Sequence, residues 1–360
     1  MKPLVAVPAI AALVYRAWSR NSLTPVGILV AATTAIVHAV HPWSVFFALL
    51  VVFFLTGTAA TKVKHDVKAR LTQSSSGTSG GEGPRTHVQV LANSLVASVL
   101  ILLHTYQLSR SASRKTECWA PETDLPVVGI VANYAAVAAD TFSSELGILS
   151  TSKPRLITAP WRVVPPGTNG GITLFGLLAG LLGAATIAVT AAALTPFCSE
   201  WQLSSKMAFV GAMSLVGLFG SLLDSFLGAV LQASVVDVRT GKVVEGEGGR
   251  KVPVHGAGSL HIKQRAKVRG AVMAHEHGAD SVASSSGVDL SSAKAGAGEK
   301  AGSIVPEDGQ HHESRRVETG RDILSNNGVN LLMATSATLA TMVGASLVWE
   351  VPLSSVFADT

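Results

Sequence analysis

The sequence predicts an all-α polytopic transmembrane helix bundle of about 7–8 helices with a long disordered cytosolic loop. Three observations carry this. The 360-residue chain is 48% hydrophobic and only 14% charged, against a usual charged share of about 25%. Its mean hydropathy is +0.40. Its apolar residues fall in runs, and a membrane span needs roughly 17–25 of them. The runs are 25–41, 43–60, 88–108, 124–149, 171–194, 206–233 and 322–350, with a shorter one at 3–18. That first run lacks a small-x-small cleavage pattern before Arg16, so it reads as a retained helix.

Residues 1–235 therefore hold the first seven helices, with a Ser/Gly linker at 73–84, QSSSGTSGGEGP. Residues 236–321 form the long loop, and 322–360 the last helix and a C-terminal tail. Within the loop, 239–318 is rich in Gly, Ser, Lys, Glu and His with almost no aromatic residues. Such a composition cannot bury enough apolar surface to offset the entropy of ordering. His275, His277, His311 and His312 stand there at irregular spacing, as a solvated linker would have them.

Charge orients the bundle. Eight helices put the segments 16–24, 61–87 and 150–170 on one side with ten Lys and Arg, against five on the other side. Basic loops face the cytosol, so both termini are expected on the lumenal or exterior side. The formal net charge of +5 and pI near 9.3 follow from this asymmetry and imply no nucleic acid. Cys118 and Cys198, too few for a disulfide scaffold or zinc site, both fall on the lumenal side. The expected partner is the lipid bilayer, and the expected location an endomembrane such as the endoplasmic reticulum.

Four polar motifs interrupt the apolar runs. ADTFSSELG brings Asp140 and Glu145 to the end of one helix. An ionisable group in a span costs at least a few kcal/mol and points to function. Lys153, Arg155 and Arg162 follow, and then Gly167, Thr168, Asn169, Gly170 and Gly171 open the next helix. A glycine turn at a helix N-terminus lets N–H groups approach an anion, although the Walker pattern is missing. GSLLDSFLGAVLQ spaces Asp224, Gly228 and Gln232 four residues apart on one face. LSNNGVN places Asn326, Asn327 and Asn330 in the first turns of the last helix; a helix cap explains one Asn, not three. The charge count sets all four motifs at the cytosolic face. Acids able to hold a divalent cation beside a basic, glycine-rich helix entrance suggest phosphate chemistry there. Interhelical hydrogen bonds and close helix packing are the plainer uses of the same residues.

Together the four motifs, with KPRLIT and PPGTNGG, resemble the transmembrane protein 19 family, which includes the phytyl-phosphate kinase of plant plastids. The similarity covers roughly residues 20–235 and 320–350. It implies a multi-helix membrane domain and a CTP-dependent kinase of an isoprenoid monophosphate. In that reading Asp140, Glu145 and Asp224 bind Mg²⁺, while Lys153, Arg155, Gly167–Gly171 and the three Asn hold nucleotide phosphates. The chain departs from the plant member in its polar insertion at 239–318 and in having no evident transit peptide. A secondary transporter, built on Gly-broken helices and intramembrane acids, and a non-catalytic membrane scaffold are the alternatives.

Overall fold

A computed structural model describes residues 1–75, 83–110, 118–120, 123–252 and 315–357. The helices are α1 (Pro3–Ser19), α2 (Pro25–Val40), α3 (Val45–Lys62), α4 (His65–Leu71), α5 (His87–Arg110), α6 (Leu125–Gly147), α7 (Leu174–Leu194), α8 (Leu203–Leu231) and α9 (Asn326–Trp349). Six of these described helices, α3 and α5 to α9, are long and apolar enough to cross a membrane, while α1 and α2 are shorter apolar helices. The chain is an integral membrane helix bundle, as its composition predicts.

Local chemistry sets the helix starts. Pro stands in the first turn of α1, α2 and α6, where no N–H is needed. Thr24, Thr173 and Ser325 each cap a helix by accepting from the N–H three residues on, at Gly27, Gly176 and Gly328. Thr86 and Gln89 form a reciprocal capping box at the start of α5.

The middle of the bundle is α6. Every residue from Leu125 to Ala139 is buried, and α3, α5, α7, α8 and α9 all pack on it. Its run of alanines lets neighbours come to backbone contact, since association in lipid depends on close packing. A Cβ on Gly183 of α7 would lie 2.7 Å from the Ala138 carbonyl, and one on Gly217 of α8 would lie 2.7 Å from that of Ala135. A buried polar contact also joins two helices: Tyr134 on α6 meets His38 Nε2 of α2 at 2.6 Å.

The segment expected as a bare basic loop between α6 and α7 folds instead into a small antiparallel sheet. Strand β2 (Arg155–Leu156) lies between β3 (Ala159–Val163) and β4 (Gly171–Ile172). The expected helix start at 171 is thus a strand, and α7 begins at Leu174.

A second correction concerns the long loop. Two compact units divide the chain: one comprises Met1–Val235, Lys242–Val252 and Glu318–Thr360, the other Val236–Gly241 and Pro253–Val317. Residues 242–252 therefore belong with the bundle. Their strand β6 (Val243–Glu245) pairs in parallel with β1 (Thr72–Ser74), Thr72 opposite Val243. Two adjacent valines and a short partner strand suffice for this despite the Gly-rich surroundings. The remaining described strands are β5 (Ser234–Asp237) and β7 (Arg315–Thr319). The expected disorder at 253–314, and most of the linker at 73–84, lie outside the described residues.

Candidate functional site: a carboxylate pair in a polar cavity

A cavity of about 330 Å³ opens at one end of the bundle. Five helix ends surround it: the C-terminal turns of α6 and α8, and the N-terminal turns of α5, α7 and α9. Each of the four polar motifs contributes to its wall.

Asp140 of α6 and Asp224 of α8 both line the cavity, and their carboxyl groups are in hydrogen-bond contact. Two ionised carboxylates cannot lie so close without a proton or a cation between them. Asn330 of α9 steadies the pair. In the amide orientation that satisfies both of its ends, Nδ2 donates to Asp224 Oδ1 at 3.3 Å and to the Asn326 carbonyl at 3.0 Å. Ser325, not an asparagine, caps α9, so Asn326 and Asn330 are left to line the cavity. Asn327 turns away and donates to the Gly248 carbonyl at 2.9 Å, clamping the chain after β6.

Glu145 also borders the cavity, but its carboxylate is engaged elsewhere. Lys68 of α4 donates to Oε2 at 2.6 Å and Thr61 of α3 to Oε1 at 2.9 Å. Lys68 is buried and gives its remaining protons to the carbonyls of Ala60 and Thr61. Among the described residues no cluster of three or more His, Cys, Asp or Glu forms a metal site. Of the three acids expected to bind Mg²⁺, Asp140 and Asp224 are brought together while Glu145 is paired with Lys68.

The basic groups differ as well. Lys153 and Arg155 are exposed and lie outside the cavity wall. Arg155 folds back on its own strand turn, donating to the Pro160 carbonyl at 2.9 Å, and Arg162 pairs with Glu318 at 2.6 Å. Among the described residues, the basic residues in the wall are Arg85, Arg250 and Lys251, none of which stands in the four polar motifs. Lys251 is tied to Asp322 at 3.1 Å.

Gly167 to Gly171 line the cavity as expected. Their glycines, however, serve packing first. Gly167 and Gly170 have φ of 85° and 77°, values that favour glycine. A Cβ on Gly170 would overlap the Ala229 side chain of α8. The N–H groups of Thr168, Asn169 and Gly171 donate to Pro165 O, Ser234 Oγ and Thr168 O, so these three are already engaged within the protein.

The opposite end of the bundle carries a disulfide between Cys118 and Cys198, joining the α5–α6 and α7–α8 connections. Trp119 is buried beside it against Trp201 and Phe209.

The family model described as "Integral membrane protein DUF92" matches residues 8–338. The chain belongs to this family. Within it, the chain is similar to Protein PGR of Arabidopsis thaliana, 36% identical over 62% of this chain and 76% of that protein. It is also similar to an uncharacterized membrane protein of Methanocaldococcus jannaschii, 33% identical over 52% of this chain and 65% of the other. Protein VTE6, chloroplastic, of Arabidopsis thaliana is 31% identical over 48% of each chain. The chain thus spans about half the length of this last relative. No solved structure matches significantly. The resemblance seen in the motifs and the family match agree.

The cavity's donor set fits a hard cation. Mg²⁺ is commonly bound by one or two carboxylates while phosphate oxygens and water complete its shell. Asp140 and Asp224, in contact and facing open cavity, are such a pair.

Proposed function

We propose that this DUF92-family protein is a nucleotide-dependent kinase of isoprenoid monophosphates, acting at the cytosolic face of an endomembrane. The observation that carries this reading is the contact between Asp140 and Asp224 in a polar cavity at one end of a membrane bundle. The family resemblance suggests CTP as the donor.

The chemistry asks little of the protein beyond position and charge. An oxygen of the lipid monophosphate attacks the γ-phosphorus of the nucleotide. A new P–O–P link forms, the β–γ bond breaks, and the nucleoside diphosphate leaves with the bond's electrons. The attacking oxygen is already anionic, so no general base is required. Such transfers run through a loose transition state with charge spread over the phosphoryl oxygens. Mg²⁺, when bound, would neutralise donor phosphate charge. Asp140 and Asp224 would hold the ion, Asn330 keeps Asp224 in place, and Arg85 and Arg250 offer positive charge from the wall. Asn169 and Asn326 add polar groups there.

Two features support the cytosolic side, where nucleotide is available. Lys68, Arg85 and the basic segment 150–170 lie at the cavity end, and the disulfide lies at the other, as an oxidising compartment would require. A secondary transporter is expected to bind near the midplane, whereas these polar groups gather at one end.

The test is purified protein in detergent with Mg²⁺, labelled CTP or ATP, and a panel of prenyl monophosphates. Labelled prenyl diphosphate is the expected product. A folded protein that yields none with any pair overturns the kinase reading.

A further inference from the structure

Beside the polar cavity lies a second, apolar one of about 80 Å³, set between α1, α2, α3 and α5. Leu13, Ile28, Ala32, Leu50, Phe53 and Phe54 are among its walls. The two cavities share three wall residues at the start of α5: Arg85, Gln89 and Asn93. Apolar space thus runs up to the edge of the space that holds the carboxylate pair.

The residues at this junction are not equivalent. The Gln89 side-chain oxygen is engaged in the capping box with Thr86 N, at 2.8 Å. Arg85 is half-buried, and its Nη2 donates to Thr61 Oγ1 at 3.0 Å. Among the described residues, Thr61 is its one side-chain acceptor. A guanidinium carries five donors in a planar fork suited to two phosphate oxygens. The fork is also aimed by its surroundings. The Arg85 backbone is fixed by Ser22 O and Thr24 N, and Thr61 is itself held by Glu145 and, through it, Lys68.

We propose that this apolar groove seats the phosphate-proximal part of an isoprenoid tail, with Arg85 gripping the monophosphate at its head. The proposal rests on the kinase reading, and it adds where the lipid enters and what orients its phosphate. A polar wall on one side and an apolar wall on the other match a chain that ends in a phosphate monoester. The groove's small volume suits the first isoprenoid units, and the far end of the tail lies in the bilayer. Selectivity therefore falls on the phosphate and the units next to it, with little discrimination of total chain length.

The test uses the full chain in nanodiscs and a geranylgeranyl monophosphate carrying a photoreactive diazirine in its first isoprenoid units. Cross-linked peptides are mapped by mass spectrometry, with no nucleotide present. Saturable labelling of α1, α2, α3 or α5 at the groove is expected, competed by unlabelled prenyl monophosphate and poorly by the free alcohol or by added phospholipid. Arg85→Gln weakens binding of the monophosphate by roughly tenfold, the loss of one charge-assisted bidentate contact, and Arg85→Lys recovers part of it. Ala32→Phe, which fills the groove, reduces labelling without touching Arg85.

Labelling that is not saturable, that falls on the outer faces of other helices, or that phospholipid competes equally overturns the groove assignment. So does equal binding of alcohol and monophosphate. Groove labelling without phosphoryl transfer keeps the lipid site and removes the kinase. Phosphoryl transfer without groove labelling keeps the kinase and removes this site.

Discussion

Asp140 and Asp224 reach each other from α6 and α8, which run parallel and both end at the polar cavity, and their carboxyl groups touch at its rim. The close approach depends on small residues further along the same seam. Gly220 packs on Ala136, where a Cβ would come within 2.6 Å of the alanine Cβ. Larger residues would push α8 from α6 and part the two acids.

Asp140→Asn and Asp224→Asn are each expected to lower phosphoryl transfer roughly a hundredfold or more, comparable to losing one electrostatic donor at other enzyme sites. The amide keeps the shape and a hydrogen bond but loses the charge that holds a cation. Both variants should insert and unfold like wild type. Mn²⁺ binding followed by electron paramagnetic resonance gives a second readout, expected to weaken in both. Undiminished turnover and Mn²⁺ affinity in the two variants would reject the cation role.

The Lys68–Glu145 pair should matter for stability more than for chemistry. The two side chains are 9% and 15% exposed, and the bond is 2.6 Å. Removing one partner of a buried pair costs about 3–5 kcal/mol, since the other is left uncompensated. Lys68→Met and Glu145→Gln should each lower the thermal unfolding temperature in detergent. The double variant should lose less than the sum of the two, and a strictly additive result would show that the pair is not coupled.

The contrast between these acids shows how far the sequence could be read. Apolar runs of span length placed every long helix within a few residues, because burial in lipid leaves a strong compositional mark. Asp140, Asp224 and Asn330 were legible because polar groups stand out against such runs. Lys68 and Arg85 were not: any basic residue in a cytosolic loop looks like topology, and nothing local reveals that α4 folds back under Glu145. Lys153 and Arg155 misled by adjacency. They precede the glycine turn in sequence, yet both side chains are exposed and lie outside the cavity wall. Gly246, Gly248 and Gly249 hid a packed segment behind the composition of a linker.

Cys118 and Cys198 offer a test of orientation. In sealed vesicles with the cytosolic side out, a membrane-impermeant maleimide should label neither cysteine, before or after treatment with an impermeant reductant. After permeabilisation, labelling should require reduction, because the pair is disulfide-bonded. Labelling of either cysteine in the sealed vesicles would reverse the topology and put the cavity on the lumenal side.

The long loop makes the sharpest division between what is needed and what is not. Residues 255–312 are polar and charged in composition, so replacing them with a short Gly/Ser linker should leave insertion and turnover nearly intact. A slightly longer deletion, 245–312, removes the end of β6, the Gly248 carbonyl that Asn327 holds, and Lys251, which bonds Asp322 and the Ile323 carbonyl. These contacts anchor the start of α9, and through it Asn330 and Asp224. The longer deletion should therefore lose activity while the shorter keeps it, measured on the same detergent-purified preparations at matched expression. Loss in both variants would make the polar loop a lid or a ligand donor and move part of the site out of the helical core. Activity in both would remove 245–252 from the site and leave the α9 entrance held by Ser325 and the bundle alone.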